Sequence, residues 1–174
     1  LLRFAAEQGK VLAGLHAKSA PGALLALAER TGNVDLVSRA VTCVTCQKLV
    51  RRLCPDCRQS VAPNPELLRK LDIDPAEPGE WFAPGGCDAC LGTGYRGRIG
   101  LFSMLIPVEE VNEALKQQGA SAASIRKAAG SAALRTLYQD GLTKVAAGIT
   151  TLEEVQRVLR GSGRSQHRRK GGKA

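Results

Sequence analysis

The stretch CDACLGTGYRGRIG, residues 87–100, combines a cysteine pair with four glycines and two arginines. Its cysteines, Cys87 and Cys90, are separated by two residues, and the upstream sequence CPDC repeats that spacing at Cys54 and Cys57. A C-x-x-C turn places two thiolates side by side, and two such turns supply the four soft ligands that tetrahedral zinc prefers. The two pairs therefore predict a structural zinc site with all four thiolates as ligands.

The segment between the two cysteine pairs is predicted to depend on such a site for its stability. Residues 55–84 contain six of the chain's eight prolines, around one candidate helix, PELLRKLDI at residues 65–73. A long, loop-rich segment with few apolar residues cannot be stabilised by a core of its own. We therefore expect zinc to close this insert at its base.

Other interpretations of the cysteine motif fit less well. The sequence CDACLGTG matches the C-x-x-C-x-G-x-G unit of the zinc repeats in J-domain co-chaperones, but that module needs four units and this chain has one. A thioredoxin-like redox site requires a C-x-x-C at a helix N-terminus after a strand, and it would not explain the second pair.

A third pair, Cys43 and Cys46, has the same spacing in a different setting. Apolar residues recur at steps of three and four along residues 33–54, which predicts a single helix over that stretch. Both cysteines would lie on its apolar face, where a free cysteine behaves as a small hydrophobic residue. The pair is therefore predicted to belong to the core and not to the metal site.

The N-terminal part predicts a strand followed by a helix. The apolar run at residues 10–15 favours a short strand, after which Ser19 could cap a helix, Pro21 could open it and Gly32 could end it. The chain also begins within a helical pattern, so we expect it to be part of something longer.

The C-terminal part predicts a strand and then helices. The strand candidate is GRIGLFSMLI at residues 97–106, and the helical candidates cover residues 107–118, 121–148 and 150–160. Thr150 or Thr151 could cap the last helix, with Glu153 or Glu154 completing a capping box.

Composition narrows the possible functions. The formal charge is +9, but residues 160–174 hold six Arg and Lys with no acid, so most of the excess belongs to a tail that we expect to be disordered over residues 161–174. The few aromatic residues disfavour a base-stacking surface, so no specific nucleic acid is expected. No run approaches the roughly eighteen apolar residues that a membrane span needs.

Four stretches together resemble one family. GLHAKSAPGAL, QKLVRRLCPDC, GCDACLGTGYRGRIGLF and QDGLTKVAAGITTLEEV occur in the order found in the type II secretion and type IV pilus assembly ATPases. The resemblance covers about residues 5–160 and implies an α/β fold: the C-terminal part of a RecA-like P-loop NTPase domain, with a tetracysteine zinc-bound insert and a helical C-terminal subdomain. The implied divisions are a RecA-like portion at 1–53, the zinc subdomain at 54–100, the mainly helical subdomain at 101–160 and the tail at 161–174.

The resemblance also implies a role and its partners. The parent protein would be a hexameric motor ATPase in the cytoplasm, peripheral to the inner membrane through the platform proteins of its machine, and would use ATP and Mg²⁺. His16, in GLHA, stands where the family has its histidine box and would lie near the nucleotide phosphates. Ser103 stands where the family usually has an acidic residue, so any role of that carboxylate is missing.

The chain lacks a complete nucleotide site of its own. A P-loop requires G-x-x-x-x-G-K-[ST], and the Gly-Lys pairs at residues 9–10 and 172–173 match neither its upstream glycine nor its hydroxyl. ATP hydrolysis is thus expected to need an N-terminal half, and the sequence leaves open whether this chain is itself an enzyme. The alternative hypothesis is a non-enzymatic zinc-binding module whose basic tail binds RNA or an acidic partner.

Overall fold

The computed structural model describes residues 1–62 and 80–161. The predicted helix at 65–73 and residues 162–174 of the predicted tail lie outside this range. The chain divides into two compact units: a first unit of Leu1–Gln47 and Phe102–Leu137, and a second unit of Lys48–Leu101 and Tyr138–Ala174.

The secondary structure is a mixture of helices and strands, which confirms the predicted α/β composition. The helices are α1 Leu2–Glu7, α2 Ala20–Thr31, α3 Val34–Ala40, α4 Glu109–Lys116, α5 Ala122–Ala133, α6 Leu137–Ala146 and α7 Leu152–Gly161. The strands are β1 Val44–Leu53, β2 Gln59–Val61, β3 Trp81–Ala83, β4 Tyr95–Leu105 and β5 Leu134–Arg135.

Two sheets connect these strands. A three-stranded sheet has the order β1-β4-β5, with β4 and β5 antiparallel and Leu105 opposite Leu134. Strands β2 and β3 form a separate antiparallel pair with Val61 opposite Trp81. The boundaries between the two units fall inside β1, inside β4 and after the first residue of α6.

The predicted signals at the ends of α2 are confirmed. Ser19 Oγ accepts a hydrogen bond from the Gly22 N–H at 3.2 Å, and Pro21 lies in the first turn. Gly32 ends the helix with φ +62°, a left-handed conformation that glycine adopts without a steric penalty.

The predicted helix over residues 33–54 is wrong beyond Ala40. Helix α3 ends there, and Val44–Leu53 forms β1. Exposure alternates along the first part of this strand, and β-branched Val and Thr residues cluster where it begins. Cys43 is consequently exposed and not in the core, whereas Cys46 is half-buried and packs against the core of the first unit.

The predicted strand at residues 10–15 is also wrong. These residues have no regular secondary structure, and Leu12 is fully exposed. A strand is stabilised by hydrogen bonds to a neighbouring strand, and within residues 1–62 and 80–161 none pairs with this segment.

The C-terminal predictions are confirmed with one interruption. Strand β4 and helices α4 and α7 lie where the sequence predicts them. The candidate helix at residues 121–148 is divided into α5 and α6 by β5, which follows α5 directly. Gly130, inside α5, also has non-helical dihedral angles.

The first unit has a continuous apolar core. Small alanines on α2 and α5 let the helices approach each other closely, and larger side chains fill the remaining space. The buried members are Ala20, Leu24, Ala28, Val37, Leu105, Val111, Leu115, Ile125, Ala129, Ala133 and Leu134.

Candidate metal centre

Four cysteine sulfurs converge in the second unit. The Sγ atoms of Cys54, Cys57, Cys87 and Cys90 all lie within 4.8 Å of one another. The separations are 3.9 Å for Cys54–Cys87, 3.8 Å for Cys57–Cys90 and 3.8 Å for Cys87–Cys90. Zinc bound to four thiolates at about 2.3 Å places tetrahedral sulfurs about 3.8 Å apart. These three separations therefore match the edges of a four-thiolate zinc tetrahedron.

Each cysteine pair is positioned by a tight backbone turn. Cys54 directly follows β1, and its carbonyl accepts the N–H groups of Cys57 at 3.4 Å and Arg58 at 3.1 Å. Cys87 precedes a 3₁₀ turn, Asp88–Cys90, and its carbonyl accepts the Cys90 N–H at 3.2 Å. The Cys54 N–H donates to the Gly94 carbonyl at 3.0 Å and so connects the two turns.

Two glycines let the backbone pass close to the cluster. A Cβ atom on Gly85 would lie 2.2 Å from the Cys57 carbonyl oxygen. Gly94 has φ +71°, and a Cβ there would lie 2.3 Å from the Cβ of Pro84. A larger residue at either position would force the second turn away from the first.

Backbone N–H groups point at the sulfurs. The Cys87 N–H at 3.3 Å and the Gly94 N–H at 3.1 Å both donate to Cys90 Sγ, and the Gly86 N–H donates to Cys57 Sγ at 3.2 Å. Chiefly through the Cys87 N–H, the pKa of the Cys90 thiol falls to about 6, whereas burial raises the pKa of Cys57 to about 12. The cluster thus favours one thiolate near neutral pH, and a bound cation would stabilise the others.

The donor set defines what the site can do. Cys54 and Cys90 are buried and the other two cysteines are half-buried. Four sulfur ligands fill a tetrahedral zinc and leave no position for a water or a substrate, which is the arrangement of structural sites.

A buried carboxylate lies in the same unit. The side chain of Glu154 is 0% exposed and bonds two guanidinium groups, Arg51 at 2.8 Å and Arg157 at 2.6 Å. It also accepts the backbone N–H of Arg51 at 3.0 Å. These hydrogen bonds, with Arg157 the largest contributor, lower the pKa of Glu154 to about 2.

Neighbouring side chains complete this arrangement. The Arg51 guanidinium stacks 4.0 Å from the centroid of the Tyr95 ring, and the Tyr95 hydroxyl shares a hydrogen bond of 3.2 Å with Thr151 Oγ1. Thr150 Oγ1 donates to the Arg51 carbonyl at 2.8 Å. We call Arg51, Tyr95, Thr150, Thr151, Glu154 and Arg157 the Glu154 cluster.

The sequence predicted only part of this cluster. The predicted cap is confirmed at Thr151, whose hydroxyl accepts the Glu154 N–H at 3.2 Å. The Glu154 carboxylate bonds the two arginines, and Arg51 lies 103 positions away in the chain. The spacing around Thr151 carries no signal of so distant a partner.

Two residues singled out in the sequence lie in the first unit. His16 is exposed in the loop between α1 and α2. Ser103 is buried, and its hydroxyl donates to the Arg135 carbonyl at 2.8 Å. An ionised carboxylate at position 103 would have no proton to donate to that carbonyl.

Over residues 1–62 and 80–161, no helix combines the length and the apolar character needed to cross a bilayer.

The sequence defines a member of one family. Residues 4–157 match the family described as "Type II/IV secretion system protein", and the chain belongs to it. The resemblance drawn from the four sequence stretches is thereby confirmed.

Individual relatives agree with this assignment. The chain is 41% identical over 147 residues to the "Type IV pilus assembly ATPase PilB" of Thermus thermophilus, covering 83% of this chain and 16% of that protein. It is 40% identical over 150 residues to the "Type II secretion system protein E" of Dickeya dadantii, covering 86% and 29%. It is 34% identical over 152 residues to the "Type II secretion system ATPase E" of Vibrio cholerae, covering 87% and 30%. The chain thus spans less than a third of each of these relatives.

Proposed function

We propose that this chain is the C-terminal part of a motor ATPase that powers type II protein secretion or type IV pilus assembly. The observation that supports the proposal is the family match over residues 4–157, to which relatives named as ATPases of both systems belong. In this proposal residues 1–53 belong to a RecA-like core, 54–100 form a zinc subdomain and 101–160 form a mainly helical subdomain.

The four cysteines are proposed to bind one structural zinc. The support is their donor set and the sulfur separations of 3.8 and 3.9 Å, which match the edges of a zinc–thiolate tetrahedron. The ion would connect the segment after β1 to the segment before β4. Its role is to stabilise this part of the fold, because four thiolates leave no coordination position for chemistry.

Nucleotide chemistry is proposed to require residues that this sequence does not contain. Phosphoryl transfer depends on a glycine-rich cradle, its lysine and a magnesium held by a hydroxyl and an acid. His16 would contribute at the rim of such a site, which the full-length protein would complete with ATP and Mg²⁺. The full-length protein is proposed to be a homo-hexamer in the cytoplasm, attached to the inner membrane through platform proteins.

A chimera tests the motor proposal. The 174 residues would replace the matching segment of the Dickeya dadantii protein E, and magnesium-dependent ATP hydrolysis would be compared with that of the isolated chain. We expect turnover from the chimera, and neither turnover above buffer background nor tight nucleotide binding from the chain alone. Hydrolysis by the isolated, contaminant-free chain, or an assembled but inactive chimera, would contradict the proposal.

A substitution of His16 in the same chimera tests its proposed position near the nucleotide phosphates. In the chimera, His16→Ala should lower turnover more than nucleotide affinity, because a group at the rim of the phosphates acts on the reacting state. Glu29→Gln, at another exposed position in the first unit, is the matched control and should leave both unchanged. Equal behaviour of the two variants would remove His16 from the proposed site.

A further inference from the structure

The residues that flank the cysteines all reach one segment of the second unit. Arg51 lies three positions before Cys54, Arg58 directly follows Cys57, and Tyr95 begins the strand after the second cysteine pair. Each of the three bonds the segment at residues 148–154, which leads into helix α7. Three residues next to the candidate metal site therefore contact the segment at the start of α7.

The first link is at the end of β1. The Leu53 N–H donates to the Ile149 carbonyl at 2.8 Å, one residue before Cys54. Thr150 Oγ1 donates to the carbonyl of Arg51. Any movement of the first cysteine turn that displaces β1 must break these bonds.

The second link is the side chain after Cys57. The Arg58 guanidinium donates to the Gly148 carbonyl at 2.7 Å and stacks 4.5 Å from the centroid of the Phe82 ring. Gly148 has φ +64°, and a Cβ there would lie 2.7 Å from the Phe82 ring. The chain just before α7 thus fits closely against the segments on either side of the insert.

The third link is electrostatic. Helix α7 can bury the carboxylate of Glu154 only if that charge is paired, because an unpaired buried charge is strongly destabilising. Arg157, within α7, bonds both carboxylate oxygens. From β1, Arg51 adds its guanidinium and its backbone N–H, and Tyr95 stacks on that guanidinium. Arg51 precedes Cys54 by three residues and Tyr95 follows Cys90 by five, so the two cysteine turns position both partners.

We propose that metal binding by the four cysteines is coupled to the docking of helix α7, with Glu154 acting as a positioning residue for the metal site. This inference rests on the proposed zinc site. Occupied, the site fixes the ends of β1 and β4 that bind α7, and loss of the metal releases the helix. Coupling is reciprocal: the factor by which bound metal favours docking of α7 equals the factor by which docked α7 raises the affinity for the metal.

The first test measures zinc affinity. Zn²⁺ binding to the 174-residue chain would be measured by competition with a chromogenic chelator, for the wild type and for two variants that loosen α7 at different contacts. Glu154→Gln removes the charge that Arg51 binds. Gly141→Ala introduces a Cβ that would lie 2.6 Å from Val155 Cγ1, on the packing surface between α6 and α7. We expect both to weaken zinc binding, Glu154→Gln by about tenfold, as for other residues that orient metal ligands.

A control separates coupling from general destabilisation. Val37→Ala removes buried atoms from the core of the first unit, and it should lower stability while leaving zinc affinity unchanged. Cobalt(II) in place of zinc should retain the spectrum of a four-thiolate site in every variant, which shows that the ligands themselves are intact. Zinc affinity that falls equally in Val37→Ala, or that falls in Glu154→Gln but not in Gly141→Ala, would overturn the coupling.

The second test follows the helix. Hydrogen exchange would be compared between zinc-loaded and chelator-treated protein, and the amides of α7 should exchange faster after chelation while those of α5 keep their rates. If the amides of α7 exchange at the same rate after zinc removal, the coupling is overturned, whereas the proposed zinc site is not affected. A wild-type chain that binds no zinc overturns both.

Discussion

The first unit packs eleven apolar side chains into one cluster, whereas the second gathers four cysteine sulfurs and buries a carboxylate. Among the described residues, five polar or charged ones are buried, and Ser103 is the member that lies in the first unit. The other four, Asp140, Thr150, Thr151 and Glu154, lie in the second.

This difference determines what each unit responds to. Burial of apolar surface is non-directional and does not depend on a bound ion or on the charge of a particular group. Thiolates and a paired carboxylate depend on both. Chelators and substitutions of a buried charge should therefore act on the second unit and not on the apolar core of the first.

Removal of the metal should have the largest effect. Cys87→Ser deletes one of the four ligands, so zinc measured by elemental analysis should fall well below the expected value of about one per chain. Amide hydrogen exchange should become faster at residues 58–62, which follow the first cysteine turn, and at residues 80–86, which precede the second. Cys43→Ala is the matched control, and zinc content should not change because Cys43 lies outside the cluster. Freshly reduced wild-type protein without zinc would contradict the metal site.

The second largest effect is expected from a substitution that creates a cavity in the core of the first unit. Leu105 is fully buried within the core cluster, and Leu105→Ala should lower the free energy of unfolding by about 3 kcal/mol. Denaturant unfolding would measure this loss, and elemental analysis should find the zinc content unchanged. A fall in bound zinc in this variant would show that the metal site depends on the core of the first unit.

The same Gly→Ala substitution can be compared in the two units at two glycines with nearly equal φ angles. Gly32 and Gly148 have φ of +62° and +64°, but a Cβ would meet open space at Gly32 and the Phe82 ring at Gly148. Gly32→Ala should cost about 1 kcal/mol through the backbone conformation alone. Gly148→Ala should cost about 2 kcal/mol or more, since the ring must also move. Equal losses in thermal or denaturant unfolding would show that Phe82 moves without cost.

The smallest effect is expected at a surface ion pair of the first unit. Lys116 Nζ lies 2.8 Å from Asp35 Oδ1, and both side chains are at least half exposed. The hydrogen bond from Lys116 lowers the pKa of Asp35, yet solvent and salt screen such pairs. Asp35→Asn should leave the midpoint of unfolding unchanged at physiological salt. A clear shift in the unfolding midpoint of Asp35→Asn would show that this surface ion pair stabilises the first unit in addition to its apolar core.

Local patterns determined much of this protein from the sequence by itself. Ser19, Gly32 and Thr151 act at helix ends as predicted, because a cap depends on atoms within three or four residues. The two C-x-x-C pairs predicted the sulfur cluster for a similar reason, since each pair forms within a single turn and zinc requires two such turns.

Tertiary structure decided what depends on distant neighbours. Residues 44–53 have apolar spacing that suits a helix, but they form a strand that pairs with β4, more than forty positions further along the chain. Glu154 lies at a position typical of a capping box, but its carboxylate bonds Arg51 across 103 positions. A local preference is worth about 1 kcal/mol, and it gives way to strand pairing at residues 44–53. At Glu154 it gives way to the need to pair a buried charge, which costs about 3–5 kcal/mol when left without its partner.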